Sequence, residues 1–302
     1  MKKLFLILIT TCSVVFCRAQ TNTFPSTGNV GIGTATPTAL LEVIGDAKIN
    51  GINIGRGTGS QLTNTAFGED ALGNNLFGGN NVAIGYKTLF GNVFGVSNIA
   101  IGATALYANS SGDLNVAIGY SSLRFNTEGF NNVAIGDNTL YQNTTGSVNT
   151  AIGSFALNNN ITGDYNTATG NSALSSNSTG YENTATGNHA LLYSTIGIMN
   201  TATGSYALVN NTSGNKNTAS GAYTLINNTT GNYNTSMGYM ALFRNVTGYG
   251  NSAFGSGANV LTGSLNNATA LGANAIVDAS NKVRIGNTSV TSIGGQVGWT
   301  NF

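Results

Sequence analysis

"NVAIGYKTLFGNVFGVS", residues 81–97, decides the fold, because the chain restates it with variations every seventeen residues. At that spacing Gly68, Gly85, Gly102, Gly119, Gly136, Gly153, Gly170, Gly187, Gly204, Gly221, Gly238, Gly255 and Gly272 fall in one column, without insertion or deletion. A second column runs from Gly78 through Gly95 and Gly112 to Gly248. A third holds a leucine in every unit from Leu72 to Leu242, including Leu89, Leu106, Leu123, Leu140 and Leu157. Self-similarity at one fixed period marks a repeat architecture, in which each unit buries its apolar side chains against its neighbours.

The consensus, roughly N-T-A-x-G-x-x-A-L-x-x-N-T-T-G-x-x, separates helical from β repeats. Two glycines per unit among Asn, Thr and Ser make poor helix, whereas "NVAIG" alternates like a strand. Both glycine columns are expected to supply the positive φ angles of tight corners, with Asn and Thr adding local turn hydrogen bonds. The predicted fold is all-β: a parallel β-solenoid, or β-roll, of about thirteen 17-residue coils. With parallel strands about 4.8 Å apart, the stack would extend roughly 60 Å.

Alternation in each x-A-x triplet places Ala66, Ala83, Ala100 and their successors to Ala202 inside a narrow coil, with the leucines filling the remainder. The residues beside each alanine then face outward. In the first units these are Val82/Ile84, Ile99/Ile101, Val116/Ile118 and Val133/Ile135, a continuous apolar stripe. Soluble monomers seldom leave such a stripe in water. A homo-oligomer with the stripe on a common axis is therefore expected.

The core "N-x-A-I-G-x-x-x-L", as in "NVAIGYSSL" over 115–123, resembles the head repeats of trimeric autotransporter adhesins, over about 64–272. That resemblance implies a left-handed parallel β-roll assembled as a trimer, although the family's head repeats are typically shorter than seventeen residues. The closing "NKVRIGNTSVTSIGGQVGWTNF", over 281–302, resembles the collar before the intramolecular chaperone domain of endosialidase-type tail spikes and related fibres. The chaperone's own catalytic residues are not in this sequence.

The flanks complete the organisation. Residues 1–19, with Lys2, Lys3, an apolar run over 4–9 and "CRA", read as a secretory signal peptide cleaved after Ala19. Its loss would remove Cys12 and Cys17, and with them any disulfide or thiolate metal site. It would also remove Lys2, Lys3 and Arg18 from eleven basic residues, leaving eight against ten acidic, a charge of −2. With charged residues only 7% of the chain, no basic stripe exists for a nucleic-acid backbone to follow. Residues 20–63, which hold Pro25 and Pro37, form an N-terminal cap segment with strand-like pieces over 40–44 and 47–54. Solenoids need such a cap to hide the edge of the first coil. Residues 64–280 are the solenoid and 281–302 the collar-like segment.

These features lead to a secreted or cell-surface fibre segment, adhesive or spacing, with a host or environmental glycan or protein as partner. No membrane span remains after signal cleavage, and no catalytic, cofactor or metal site is predicted. Two alternatives rest on particular residues. A polysaccharide-acting protein would need paired carboxylates, but Glu128, Asp137, Asp164 and Glu182 are scattered. The pairs Thr167/Thr169, Thr184/Thr186 and Thr201/Thr203 would form a flat two-column array similar to the water-ordering surface of some ice-binding β-solenoids. His189 has no matched carboxylate or cysteine beside it, and Asp113, Asp137 and Asp164 are not expected to stack into a calcium ladder. The repeated N-x-T triplets match the N-glycosylation sequon but read as a by-product of turn composition.

Overall fold

A computed structural model describes residues 28–59 and 61–293, which fall into two compact units dividing between Gly45 and Asp46. The signal-peptide segment lies outside the described residues. In the first unit Val30–Ile32 pairs in parallel with Leu41–Val43, in the register Val30 to Leu41. The Glu42 carboxylate accepts from the Thr38 amide at 2.6 Å and its hydroxyl at 3.1 Å, fixing the connection.

The second unit opens with a hairpin. Ala47–Ile49 and Ile52–Gly55 pair antiparallel across Asn50 and Gly51, which have φ of +50° and +85°. Asn-Gly with two positive φ angles is the two-residue turn whose twist suits a hairpin. The stretch over 47–54, read as one strand-like piece, is thus two strands. Ile52–Gly55 then pairs antiparallel with Thr65–Phe67, covering the edge of the first coil. The Asp46 carboxylate secures the hairpin by accepting from the amides of Arg56 and Gly57 at 2.7 and 2.9 Å.

From Thr65–Phe67 to Ser252–Phe254 and Thr269–Leu271, one three-residue strand per coil adds in parallel at a constant offset of seventeen. The predicted parallel β-solenoid is the observed fold. Ala83, Ala100, Ala117 and their equivalents are fully buried, as is every leucine from Leu72 to Leu242. A second alanine, immediately before the leucine in many coils, joins the same core.

Corner geometry departs from expectation. The first glycine column has φ between +126° and +144° from Gly68 to Gly255, but the second, from Gly78 to Gly248, lies outside the positive-φ region. Its glycines are required for room instead. A Cβ on Gly95 would overlap the carbonyl oxygen of Gly112 and the Asn92 and Asn109 side chains. Most other left-handed corner residues of the coils are not glycines: they fall in the columns of Lys87 and Thr104, of Ser97 and Leu114, and of the leucines, whose φ lies between +48° and +53°. Holding an L-residue there costs roughly 1–2 kcal/mol, while burying a leucine returns about 1.5–3 kcal/mol. The core gain therefore offsets the corner strain.

The asparagines also do something other than decorate turns. Two columns are buried inside the coil and bond between coils. In the first, from Asn64 to Asn251, each side-chain oxygen accepts from the backbone amide of the next asparagine: Asn98 N donates to Asn81 Oδ1 and Asn115 N to Asn98 Oδ1, both at 2.9 Å. Each Nδ2 reaches the carbonyl of the second-column glycine in the next coil, as Asn98 does to Gly112 at 2.8 Å. In the second column, Asn92 Nδ2 donates to Asn75 Oδ1 and to Gly95 O, at 2.7 and 2.9 Å, and the pattern repeats through Asn177. A buried polar group left unpaired costs about 1–3 kcal/mol, so ladder and period enforce one another.

The ladder outlasts the repeat. Past Leu242 the column position is Asn259, and Val260 and Val277 fill the core from two short parallel strands, Asn259–Val260 and Ile276–Val277. Thr269–Leu271 then pairs with Val283–Ile285 after fourteen residues instead of seventeen. The sheet thus enters the segment assigned to the collar, because backbone pairing needs no side-chain motif. Residues 294–302 lie outside the described residues.

Candidate functional site

Since the interior is nearly invariant, what distinguishes one part of the solenoid from another is on its outside. The flat face of the sheet carries two side-chain columns, the residues before and after each alanine. From Phe67 through Ile84, Ile99, Ile135 and Ile152 this face is apolar, with side chains such as Ile99 and Ile152 still 40% and 41% exposed. Val82, Ile101, Val116, Ile118 and Val133 lie between them, half-buried by their neighbours in the ladder. The residues of the predicted stripe thus all point outward, in register, and no charged residue interrupts either column.

The first column turns to threonine at Thr150 and the second at Thr169. Thr167, Thr184 and Thr201 stack in one and Thr169, Thr186 and Thr203 in the other, continued by Thr218 and Ser220. Among the described residues, no hydroxyl of those six threonines hydrogen-bonds to the protein. A different column, on the far side of the second asparagine ladder, spends its hydroxyls internally: Thr127, Thr195 and Thr212 each donate to the carbonyl of the next coil, at 3.0–3.1 Å.

Corners carry aromatic ladders that the sequence reading passed over. Tyr206 stacks on His189 and Tyr223 with centroids 4.9 and 5.3 Å apart, and Phe90 stacks on Tyr107 at 5.4 Å. The Arg124 guanidinium lies 5.5 Å from the Tyr107 ring and 5.6 Å from Phe125. A shallow groove of about 700 Å³ runs across consecutive coils, lined by Ser176, Tyr193, Thr195, Asn210, Thr212, Asn227, Thr229 and Val246. Short runs of aromatics seventeen residues apart, Phe77/Phe94, Phe90/Tyr107 and His189/Tyr206/Tyr223, were the available signal.

The acidic residues are accounted for by the frame. Asp113 and Asp164 share one column, three coils apart. Each accepts a backbone amide of the preceding coil, from Val96 and Ser147, at 2.7 Å. Glu128, Asp137, Asp164 and Glu182 occupy four different offsets within the coil, so the stacking brings no two of them into one column. Among the described residues no cluster of three His, Cys, Asp or Glu side chains could hold a metal, and no helix is long and apolar enough to cross a membrane. Of the sequon asparagines, Asn109, Asn143, Asn160, Asn177, Asn211, Asn228 and Asn245 are fully buried members of the second ladder, whereas Asn210 and Asn227 are half-buried along the groove and Asn267 is exposed. The buried triplets are a by-product of the ladder and its outward neighbours.

No protein-family model and no curated protein matches this chain. Its faces are interpreted on their own geometry.

Proposed function

We propose that this chain is an exported structural fibre segment that assembles as a homotrimer through the apolar half of its sheet face and presents its outer columns for adhesion. The observation that carries this reading is the uncharged ribbon of Val and Ile that fills both columns over four coils, from Val82 to Ile135, is extended in one column by Phe67 and Ile152, and is partly exposed in the single chain. Packing that ribbon against copies of itself removes it from water without any new fold. Export rests on the leader-like residues 1–19. Outward columns such as the Thr127, Thr195 and Thr212 column and the short Tyr206 and Tyr223 stack present like groups on neighbouring coils, so a glycan or protein surface with weak affinity for one coil is held by several at once. Light scattering on residues 20–302 tests the reading: a mass three times that of the chain supports it, and a monomer at micromolar concentration rejects it.

A second reading applies to the threonine half. Six hydroxyls in two registered columns, uncommitted to protein acceptors, form a flat array suited to ordering water, as an ice-binding face does. Thermal hysteresis that disappears in Thr184→Tyr supports it; no hysteresis in the parent chain removes it.

A further inference from the structure

The second asparagine ladder has one missing rung. At every coil from Asn75 to Asn245 its position is asparagine except at Ser194, which is fully buried. Each asparagine flanked by two others in this column makes the same three side-chain bonds. Its Nδ2 donates to the preceding Oδ1 and to the glycine carbonyl three residues on, and its Oδ1 accepts from the following Nδ2. Asn160 illustrates the set, donating to Asn143 Oδ1 at 2.8 Å and Gly163 O at 2.9 Å, and accepting from Asn177 at 2.7 Å.

Serine replaces that carboxamide with a hydroxyl and two fewer heavy atoms, too short to make these bonds. Among the described residues, Asn177 Oδ1 and Ser194 Oγ are buried without a hydrogen-bond partner. Gly197 O keeps its bond from Asn183 Nδ2 at 2.7 Å but lacks the one its equivalents receive from their own coil. Asn211 Nδ2 bonds only to Gly214 O, at 2.9 Å, so its second hydrogen is free.

We infer that a single water molecule is bound inside the coil at this position and takes the place of the missing amide. The bond inventory matches. A water in the place of the absent Nδ2 donates two hydrogens, to Asn177 Oδ1 and Gly197 O, and accepts one from the Ser194 hydroxyl; Asn211 Nδ2, a coil rise of about 4.8 Å further on, is beyond its reach. Buried waters typically make about three such bonds and need polar partners on several sides; this site offers three. An apolar gap of the same size would stay dry. Ser194 also lies between Tyr193 and Thr195, which line the surface groove, so the bound water sits directly under the groove floor.

The test combines a high-resolution crystal structure of the whole chain with two reciprocal substitutions. The expected result is a density peak at hydrogen-bond distance, about 2.7–3.2 Å, from Asn177 Oδ1, Gly197 O and Ser194 Oγ. Ser194→Asn should displace it and raise the thermal midpoint by about 2–4 °C. Asn160→Ser, in an intact coil, should create an equivalent peak and lower the midpoint. An empty site at Ser194 in clear density overturns the inference. So does collapse of Asn177 and Asn211 onto each other with no peak between them.

Discussion

The two halves of the sheet face share a backbone and an interior and differ only in what points outward. Coils around Val116–Ile118 and Thr167–Thr169 have the same central alanine, the same glycine corner and the same buried leucine and asparagines. One half shows Val and Ile; the other shows Thr in both columns over 167–203 and then Met237, Phe254 and Leu271 in its second column. Val, Ile and Thr are all β-branched and suit an extended strand equally, so strand propensity gives no reason for the change to Thr. The difference teaches that the fold is specified by the inward columns, and that the outward columns are free to record what each half touches.

The largest expected effect tests whether the interior is indifferent to that change. Leu106→Ala, beneath the apolar half, and Leu191→Ala, beneath the threonine half, each empty one fully buried leucine position preceded by a buried alanine. Each should cost about 2–5 kcal/mol, the usual range for a buried leucine. The two losses in denaturant unfolding should agree within about 0.5 kcal/mol. A much larger loss at Leu106 would mean that stability of the apolar half is tied to assembly, and that the inside and outside are not separable.

How much of this was legible in the sequence follows the same division. The period gave the coil, and alternation around the alanines placed the inward Ala and Leu columns and the outward Val, Ile and Thr columns. A period reveals that a position is constrained without revealing by what. Asn81 and Asn92 recur as strictly as the leucines, yet asparagine is so common in turns that a local role hid the inter-coil ladders. Likewise the second glycine column was assigned a backbone angle, where Gly95 answers instead to the closeness of Gly112. Asn50-Gly51 was readable as a hairpin turn from its dipeptide alone. Val283–Ile285 was not readable, since its coil is three residues short and keeps only the backbone pairing. Of the faces, the Val/Ile stripe was visible from its pattern, whereas the aromatic ladders required laying His189, Tyr206 and Tyr223 over one another.

The next effect separates the halves by assembly. Ile118→Asp puts a carboxylate in the centre of the apolar face, where burial against a second copy would leave a charge without a partner, at a cost of several kcal/mol. The trimer mass measured by light scattering should fall to that of the chain. Thr186→Asp makes an equivalent change on the threonine half and should leave the mass unaltered. If both substitutions disperse the assembly, association runs along the whole face, and the contrast between the halves is one of composition only.

The smallest effect is expected from pH and salt, and its smallness is informative. Neither outward column carries a titratable side chain from Thr65 to Leu271. The ion pair between Lys282 and Asp278, at 2.7 Å, is surface-exposed. Its hydrogen bond from Lys282 holds the Asp278 carboxyl below its ordinary value. A depressed carboxylate contributes stability that is present above its unfolded value and lost as pH falls through the folded one, so the contribution disappears only in acid. The Lys87 ammonium is held above its ordinary value, chiefly by its hydrogen bond with Tyr86. A raised cation contributes below its unfolded value and loses its contribution as pH rises through the folded one, in the alkaline range. Between those limits the assembly mass should stay constant, and roughly tenfold more salt should not weaken it, since screening acts on charges and the ribbon has none. Dissociation by salt at neutral pH would show that charged corners, not the Val/Ile ribbon, hold the copies together.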